Sequence, residues 1–210
     1  MYHTVSLVHT TPDAEQLIAY MARVSNPDNQ DNPESERLIK YLIKHKHWSP
    51  FEMVNMCVQI ETTRSVAAQI LRHRSFSFQE FSQRYAKVAK PAAIPQLRRQ
   101  DTKNRQNSVD DLDPYTVKDF TVKINSLFEL GESLYNEMLE AGVAKECARD
   151  ILPLSTPTKL YMNGTLRSWI HYIDLRTANG TQQEHKLVAE GVKQVFEEQF
   201  PLISKAVWQH

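Results

Sequence analysis

Residues 72–85 read RHRSFSFQEFSQRY, a stretch that combines three arginines, one histidine, one glutamate and three serines. Four aromatic residues are interleaved among these polar groups rather than massed on one face. Arginine presents a rigid fork of donors that suits phosphate and other oxyanions, and serine hydroxyls can complete such a shell. The stretch therefore predicts one wall of an anion-binding site.

The chain on the N-terminal side of this stretch is predicted to alternate between strands and helices. A β-branched run over residues 2–9 predicts a short strand, and Thr11-Pro12-Asp13 has the residue types that begin a helix. A second helix is expected to end at residues 45–47, because Pro50 disfavours helical geometry in the residue before it. Residues 53–60 then alternate between apolar and other side chains, which predicts a half-buried strand. Its inward residues are Val54, Met56, Val58 and Ile60.

A third helix, over residues 63–73, places the RHR triplet at its C-terminal end. The inward residues of this helix are expected to be Val66, Ile70 and Leu71. Residues 75–78 alternate between serine and phenylalanine and predict an extended segment. Its polar side, which suits a hydrated site, consists of Ser75, Ser77 and Gln79.

The C-terminal half is predicted to be mostly helical. Residues 96–113 are polar and lack periodicity, so they predict a mobile surface loop. The longest helix is expected over residues 114–141, with Gly142 as its C-terminal cap. A short helix near residues 145–150, a break at Pro153 and Pro157, and two final helices complete the prediction. The final helices span residues 166–175 and 182–200. The whole pattern favours a single α+β domain over residues 1–210.

Composition excludes several classes of protein. Lysine plus arginine and aspartate plus glutamate each number 25 in 210 residues, and this balance argues against a dedicated nucleic-acid binder. No apolar run approaches the roughly 20 residues that span a bilayer, and the N-terminal residues lack the pattern of a signal peptide. We therefore expect a cytoplasmic protein without membrane contact. The two cysteines, Cys57 and Cys147, form neither a disulfide framework nor a metal cluster.

Glycine is scarce, and this decides how a nucleotide could be held. The five glycines are too far apart in sequence to form a loop of the GxGxxG or Walker-A type. Side chains must therefore bind any phosphate, and the arginine clusters are the candidates. Each charge-assisted hydrogen bond can contribute ~1.5–3 kcal/mol.

Residues 72–85 resemble the signature of the flavin-dependent thymidylate synthases. That signature is Arg-His-Arg, seven residues, then serine, with an acid two positions before the serine and Arg-Tyr shortly after it. All seven of these positions match here, while Gln79 stands where relatives often have asparagine. The resemblance implies that FAD is bound by Arg72, His73, Arg74 and Glu80. It implies that dUMP is bound by Gln69, Arg72, Glu80, Phe81, Ser82, Gln83, Arg84, Arg149 and Arg176.

The resemblance covers most of the chain. The segment HWSPFE at residues 47–52 is similar to a family segment whose hydroxyl residue, here Ser49, touches the flavin. The segment ECAR at 146–149 followed by LPL at 152–154 is similar to the segment that supplies the substrate contact of Arg149. The pattern of Arg-Ser at 167–168, His171 and Leu-Arg at 175–176 is similar to a third family segment. That segment implies further flavin contacts from Thr165, Arg167 and His171.

The family implies a complete reaction and an assembly. The reaction is reductive methylation of dUMP to dTMP, with 5,10-methylenetetrahydrofolate donating carbon and FAD, reduced by NADPH, donating the hydride. Arg176 would be the catalytic residue, because a guanidinium can stabilise the charge that develops on the uracil ring. The family fold is the thymidylate synthase-complementing fold, which is helix-rich with a small central sheet. Its members are homotetramers with active sites at the subunit interfaces.

Several alternatives stay open on the sequence alone. Ser82 lacks a recognisable base and is favoured as a dUMP ligand over a nucleophile. Cys57 lacks a cationic neighbour and is expected to pack rather than react. No metal site is expected, since His45 and His47 lack a third ligand at a recognised spacing. A single-strand nucleic-acid module using Arg72, Arg74 and Arg84, and a catalytically inactive scaffold, are the competing functions.

Overall fold

The computed structural model describes residues 3–209, and its centre is an antiparallel sheet of four strands in the order β1-β2-β6-β3. The strands of this sheet are β1 (Thr4–Thr10), β2 (Asn55–Thr63), β3 (Ser77–Glu80) and β6 (Pro157–Thr165). Two further short strands, β4 (Arg99–Gln100) and β5 (Ser108–Val109), form a separate hairpin. The helices are α1 (Ala14–Ala22), α2 (Glu36–Lys44), α3 (Arg64–Ile70), α4 (Pro114–Glu140), α5 (Lys145–Ala148), α6 (Leu166–Thr177), α7 (Gln183–Gln199) and α8 (Pro201–Trp208).

Strand periodicity explains why one face of the sheet is covered by helices. The predicted inward residues of β2 are all fully buried, and in β6 they meet Leu160 and Met162, which are fully buried too. Helices α1, α2, α3, α6, α7 and α8 all contribute residues to this core. Full burial of each large apolar side chain stabilises the fold by roughly 1.5–3 kcal/mol. The other face carries polar residues such as Gln59, Lys159 and Asn163.

Most predicted elements are confirmed, with small shifts at their ends. The helices expected over residues 63–73, 114–141, 166–175 and 182–200 correspond to α3, α4, α6 and α7. Gly142 has φ 85° after α4, as expected of a C-terminal cap. The first strand is Thr4–Thr10 rather than 2–9, and Tyr2 lies outside the described residues. Leu71 was expected to face inward but is 38% exposed, because α3 ends one residue earlier.

Strand β6 and helix α8 were missed by the sequence prediction. Strand β6 lies in the middle of the sheet, yet its sequence begins with Pro157 and ends near Gly164, so it was interpreted as a break. Pro157 is the first residue of the strand, a position that proline tolerates. Helix α8 was missed as well, because Pro201 looked like a terminator although proline fits the first turn of a new helix.

Residues 96–113 are more ordered in structure than their sequence suggests. They contain the β4–β5 hairpin, and Arg99 pairs with Asp111 across it at 2.6 Å. Arg98 pairs with Glu184 of α7 at 2.7 Å, and both side chains are largely buried. The expectation of an irregular segment was therefore wrong, while its mobility stays a prediction.

Helix α4 leaves an apolar face uncovered. Along its 27 residues only Tyr135 is fully buried. The α4 exposed face, which we define as the four large apolar residues on one side of this helix, consists of Phe120, Leu127, Leu130 and Leu134. Leu127 and Leu130 are 64% and 66% exposed. Within residues 3–209, no helix has both the length and the apolar character that a bilayer-spanning helix needs.

Candidate functional site

The signature stretch is fixed to the core through one aromatic residue. Phe76 packs against Trp169 of α6 with ring centroids 4.6 Å apart and against Tyr172 at 5.9 Å. Gly164 of β6 lies directly under the Phe76 ring, and a Cβ atom at that position would collide with it. The absence of a side chain at residue 164 is therefore what lets residues 72–76 approach helix α6.

This approach brings together two residues that are 103 positions apart. Arg176, at the end of α6, donates from Nε to Nε2 of His73 at 2.8 Å. Burial, followed by the nearby charges of Arg176, His171 and Arg72, lowers the pKa of His73 from 6.5 to about 4. His73 is therefore neutral at pH 7, accepts at Nε2 and carries its proton on Nδ1. Among residues 3–209 the two terminal guanidinium nitrogens of Arg176 make no hydrogen bond, so they can bind a ligand.

A chain of hydrogen bonds lies beside this pair and includes Gln69. We call it the Gln69 chain, and its members in order are Tyr172, His185, Gln69, Gln182, Glu184 and Arg98. Burial raises the pKa of Glu184, but the hydrogen bonds from Gln182 and Arg98 outweigh burial and hold that pKa below its ordinary value. Glu184 therefore takes part in the chain as an ionised carboxylate.

A second group lines a cleft at the start of α6. Glu52 accepts from Arg167 Nη1 at 2.6 Å and from Thr165 Oγ1 at 2.7 Å. The hydrogen bond from Arg167, followed by that from Thr165, lowers the pKa of Glu52. The cleft has a volume of about 580 Å³, and its polar lining includes Ser75, Thr165, Arg167, Ser168 and His171. Ser49 is exposed and begins the 3₁₀ turn that carries Glu52.

A third group continues along the signature. Glu80 Oε1 accepts from Arg64 Nη1 at 2.6 Å and from Thr158 Oγ1 at 2.9 Å, which fixes the carboxylate at the sheet edge. Phe81 lines a neighbouring cleft of about 430 Å³. Gln83 is buried, and its Nε2 has no hydrogen-bond partner among the described residues. A buried unpaired donor is costly, so it suits a site that a polar ligand completes.

Two of the arginines beyond the sheet edge lie close to acidic side chains. Arg84 Nε contacts Glu146 Oε2 at 3.1 Å, so the signature meets helix α5. Arg149 follows α5 and lies 3.8 Å from Asp150. Arg72 and Arg74 are exposed, and Ser82 is partly exposed.

The structure thus sorts most of the predicted residues into three groups rather than one, and it leaves the exposed Arg72 and Arg74 outside them. The first is His73, Arg176 and Gln69; the second is Thr165, Arg167, His171 and Ser49; the third is Glu80, Phe81, Ser82, Gln83, Arg84 and Arg149. Across the described part of the chain, no hydrogen bond or ion pair joins one group to another.

Several polar residues of these groups were not predicted. Glu52 and Glu146 belong to the segments HWSPFE and ECAR, so the same resemblance could have indicated them. Gln182 and Glu184 lie in the segment TQQE at residues 181–184, which resembles a family segment A-Q-x-E except that Thr181 replaces the small residue. Nothing in the sequence distinguishes Tyr172 or His185 from ordinary core residues of helices.

The two cysteines do not contribute to these groups. Cys57 is buried on the polar-facing side of β2, and burial raises the pKa of its thiol. A raised pKa disfavours the thiolate that a nucleophile needs. Within residues 3–209 there is also no group of three or more histidine, cysteine, aspartate or glutamate side chains arranged to hold a metal ion.

The donors in the three groups fit nucleotide ligands. The cleft at the start of α6 offers a guanidinium, hydroxyls and an imidazole, which are the groups that bind phosphate and sugar oxygens. Its volume lies within the range of roughly 300–1,000 Å³ typical of ligand pockets. One face of the site, near Arg176, adds a guanidinium whose plane is set by His73.

Comparison with known proteins identifies relatives of this chain. A family described as "Thymidylate synthase complementing protein" matches residues 6–202. A probable flavin-dependent thymidylate synthase of Paramecium bursaria Chlorella virus 1 is 53% identical over 205 residues, 97% of this chain and 95% of the relative. A flavin-dependent thymidylate synthase of Synechocystis sp. is 52% identical over 193 residues, 92% of this chain and 89% of the relative.

Solved structures with a similar fold are found at lower sequence identity. The UMP/dUMP methylase PolB of Streptomyces cacaoi, bound with 5-Br dUMP, is 28% identical with a TM-score of 0.84. The alignment covers 97% of this chain and 93% of that one. A second structure of the same methylase, bound with 5-Br UMP, has a TM-score of 0.86 and covers 97% and 92% of the two chains.

Proposed function

This chain belongs to the thymidylate synthase complementing protein family, the flavin-dependent thymidylate synthases, and from that membership we propose that it converts dUMP to dTMP. FAD supplies the hydride when bound and reduced by NADPH, and 5,10-methylenetetrahydrofolate supplies the carbon. The observation that carries the proposal is the hydrogen bond of 2.8 Å between Arg176 and neutral His73. It joins the signature stretch to the arginine that the reaction requires.

Arg176 has the geometry of an electrostatic catalyst. Methylation needs a nucleophilic C5 on uracil, which moves electron density toward the N3 and O4 side of the ring. His73 occupies Nε of Arg176, so the guanidinium plane is fixed and its two terminal nitrogens can face that developing charge. Preorganised donors of this kind lower the free-energy barrier of comparable reactions by ~2.7–4 kcal/mol.

The second group provides the flavin contacts in this proposal. Arg167, Thr165, His171 and Ser49 would bind FAD through its phosphates and hydroxyls. Glu52 orients Arg167 and Thr165 with two hydrogen bonds, so both side chains are already directed when the ligand arrives. Arg72, His73 and Arg74 would border the flavin from the signature.

The third group provides the phosphate end of the nucleotide site. Ser82, Arg84 and Arg149 would bind the dUMP phosphate, while Glu80 would accept from a sugar hydroxyl or the flavin. Phe81 and Gln83 would complete this wall, and the unpaired Nε2 of Gln83 would gain a partner. Gln69 and Arg72 would reach the nucleotide from the end of α3.

The three separate groups favour an assembly in which chains share sites. We infer a homotetramer in which the groups of neighbouring subunits meet around one set of ligands. The α4 exposed face supports this, because four large apolar side chains on one side of a helix mark an interaction surface. Residues 1–210 would act as one domain of this assembly.

Spectroscopy and one assay together test the proposal. The purified protein is expected to bind FAD with a flavin absorbance spectrum and to form dTMP from dUMP, methylenetetrahydrofolate and NADPH. Bound flavin without dTMP formation would favour the inactive scaffold. A protein that takes up no FAD but shifts single-stranded nucleic acid would favour the binding module.

A further inference from the structure

Two titratable residues lie in the core, where apolar side chains could fill the same space. Tyr172 and His185 are both 0% exposed, and the Tyr172 hydroxyl lies 3.1 Å from His185 Nε2. Polar groups are buried at a cost unless they are hydrogen-bonded, and here each polar atom has a partner. The other ring nitrogen, Nδ1, lies 3.4 Å from Oε1 of Gln69.

The far end of the Gln69 chain sets its direction. Glu184 is a carboxylate and can only accept, so Gln182 must donate Nε2 to it, at 2.8 Å. Gln182 therefore offers its oxygen to Gln69, and Gln69 donates from Nε2 at 2.6 Å. Arg98 holds the second carboxylate oxygen at 2.7 Å. The amide oxygen of Gln69 must then face His185.

The near end of the chain agrees with this direction. Because Oε1 of Gln69 only accepts, His185 must carry its proton on Nδ1. Burial, with the nearby Arg176 and His73, lowers the pKa of His185 from 6.5 to about 3, so the ring is neutral and Nε2 accepts. Tyr172 then donates, and burial raises its pKa well above the ordinary value, so it keeps its proton. Each hydrogen bond of the chain thus joins one donor to one acceptor.

We propose that Tyr172 and His185 are positioning residues that fix the amide orientation of Gln69 toward the nucleotide. The inference rests on the proposed function, which assigns Gln69 to dUMP. One hydrogen of Nε2 and one lone pair of Oε1 are used inside the chain. Gln69 therefore presents its remaining N–H and its remaining lone pair to the ligand, each on a fixed side of the amide. A rotated amide would exchange donor and acceptor and meet the nucleotide with the wrong pattern.

The closing experiment removes the two groups without emptying the core. Tyr172→Phe deletes only the hydroxyl, and Tyr135→Phe is the matched control. Tyr135 is also buried, and its hydroxyl accepts from the Val88 backbone. His185→Leu removes both ring nitrogens, whereas His185→Asn keeps an amide donor near the position of Nδ1. KM and kcat for dUMP, FAD affinity and thermal stability are measured for each.

The expected result is a change in nucleotide binding that stability does not explain. Tyr172→Phe and His185→Leu should raise KM for dUMP about ten-fold, which corresponds to the loss of about one hydrogen bond between Gln69 and the nucleotide. FAD affinity should stay unchanged, and His185→Asn should restore most of the loss. Tyr135→Phe should lower stability with no change in KM. In a Gln69→Ala background, Tyr172→Phe should add nothing to KM, because its effect passes through Gln69.

Three results would overturn the assignment in distinguishable ways. If Tyr172→Phe loses stability like Tyr135→Phe but binds dUMP with the wild-type KM, the pair is only structural. If Tyr172→Phe raises KM equally with and without Gln69, it acts by another route. A wild-type protein that neither binds dUMP nor forms dTMP would overturn the proposed function, and this assignment with it.

Discussion

At the scale of single residues, a neutral histidine sets the position of an arginine. A charged imidazole beside Arg176 would repel it, and the low pKa of His73 removes that repulsion at neutral pH. The hydrogen bond then uses Nε and leaves the forked end of the guanidinium for substrate. Lysine cannot reproduce this arrangement, because it has a single nitrogen.

Replacing Arg176 by lysine therefore tests the forked guanidinium separately from charge. We expect kcat for dTMP formation to fall by about 10²–10³, the effect of losing one preorganised donor. The flavin spectrum should be unchanged. Arg99→Lys is the control, because Arg99 pairs only with Asp111 on the exposed hairpin. A wild-type kcat in Arg176→Lys would show that charge alone suffices.

The two buried histidines also predict how stability depends on pH. The unfolded chain binds protons at both residues near pH 6.5, while the folded chain does so only near pH 4 and pH 3. The free energy of unfolding should therefore be fully present above pH 6.5 and decline as pH falls toward 4. His185 alone contributes a slope of at most about 1.4 kcal/mol per pH unit.

Urea unfolding at several pH values checks this dependence. His185→Asn cannot titrate in this range, so its free energy of unfolding should decline less steeply than that of the wild type between pH 6.5 and 4. The comparison is between slopes, because the substitution also changes stability at pH 7. Parallel curves for the two proteins would contradict a neutral His185 in the fold.

The residues of the site were predictable only where spacing carries information. The signature and the segment around Arg176 could be recognised, because short fixed offsets survive in sequence. Their contact could not, since it depends on Gly164 and Phe76 packing across the sheet. Tyr172 and His185 have ordinary helical positions, and only tertiary burial turns them into partners of Gln69.

At the scale of elements, strand β6 organises the site although its sequence conceals it. It pairs with β2 on one side and with β3 on the other, so it joins the core to the signature. Alternation in β2 was readable because its inward residues are all apolar. In β6, Pro157 and Gly164 at the two ends mask the same pattern, which extends from Thr158 to Met162.

A methyl group at residue 164 should disturb this junction. We expect Gly164→Ala to lower the free energy of unfolding by about 1–3 kcal/mol, because the new Cβ would overlap the Phe76 ring. The double variant Gly164→Ala with Phe76→Leu should lose less free energy of unfolding than the sum of the two single losses. The shorter leucine side chain relieves the overlap. Denaturant unfolding measures all three variants, and additive losses would argue against direct contact.

The hairpin at residues 96–113 offers a matched pair of arginines. Arg98 and Glu184 have side chains only 12% and 19% exposed, whereas Arg99 and Asp111 are 44% and 47% exposed. Exposed ion pairs contribute little, while breaking a buried pair leaves an uncompensated charge. Arg98→Met should therefore accelerate amide hydrogen exchange in 96–113 far more than Arg99→Met does.

Two other exchange patterns would be informative about this segment. Equal acceleration in both variants would mean that the contact with α7 does not hold the hairpin. Rapid exchange throughout 96–113 in the wild type would instead agree with the mobility predicted from its polar sequence.

At the scale of the whole molecule, the chain combines a buried core with an exposed apolar face on α4 and with three groups of candidate site residues. The core is closed by helices on one face of the sheet, and the sequence predicted it well, because burial follows from periodicity. The α4 exposed face and the three unconnected groups of polar residues have no such explanation within one chain. Both are accounted for if neighbouring subunits cover α4 and complete each other's sites.

Mixing two inactive variants tests whether chains share a site. Arg84→Ala removes the proposed phosphate contact, and Arg176→Ala removes the proposed catalytic guanidinium, so either variant alone should be inactive. If the two arginines of one site come from different subunits, random reassembly of a 1:1 mixture should restore about one quarter of the wild-type sites. Activity is measured after joint refolding, with each variant refolded alone as the control. A mixture as inactive as its parents, although gel filtration shows mixed oligomers, would mean that both arginines of a site come from one chain.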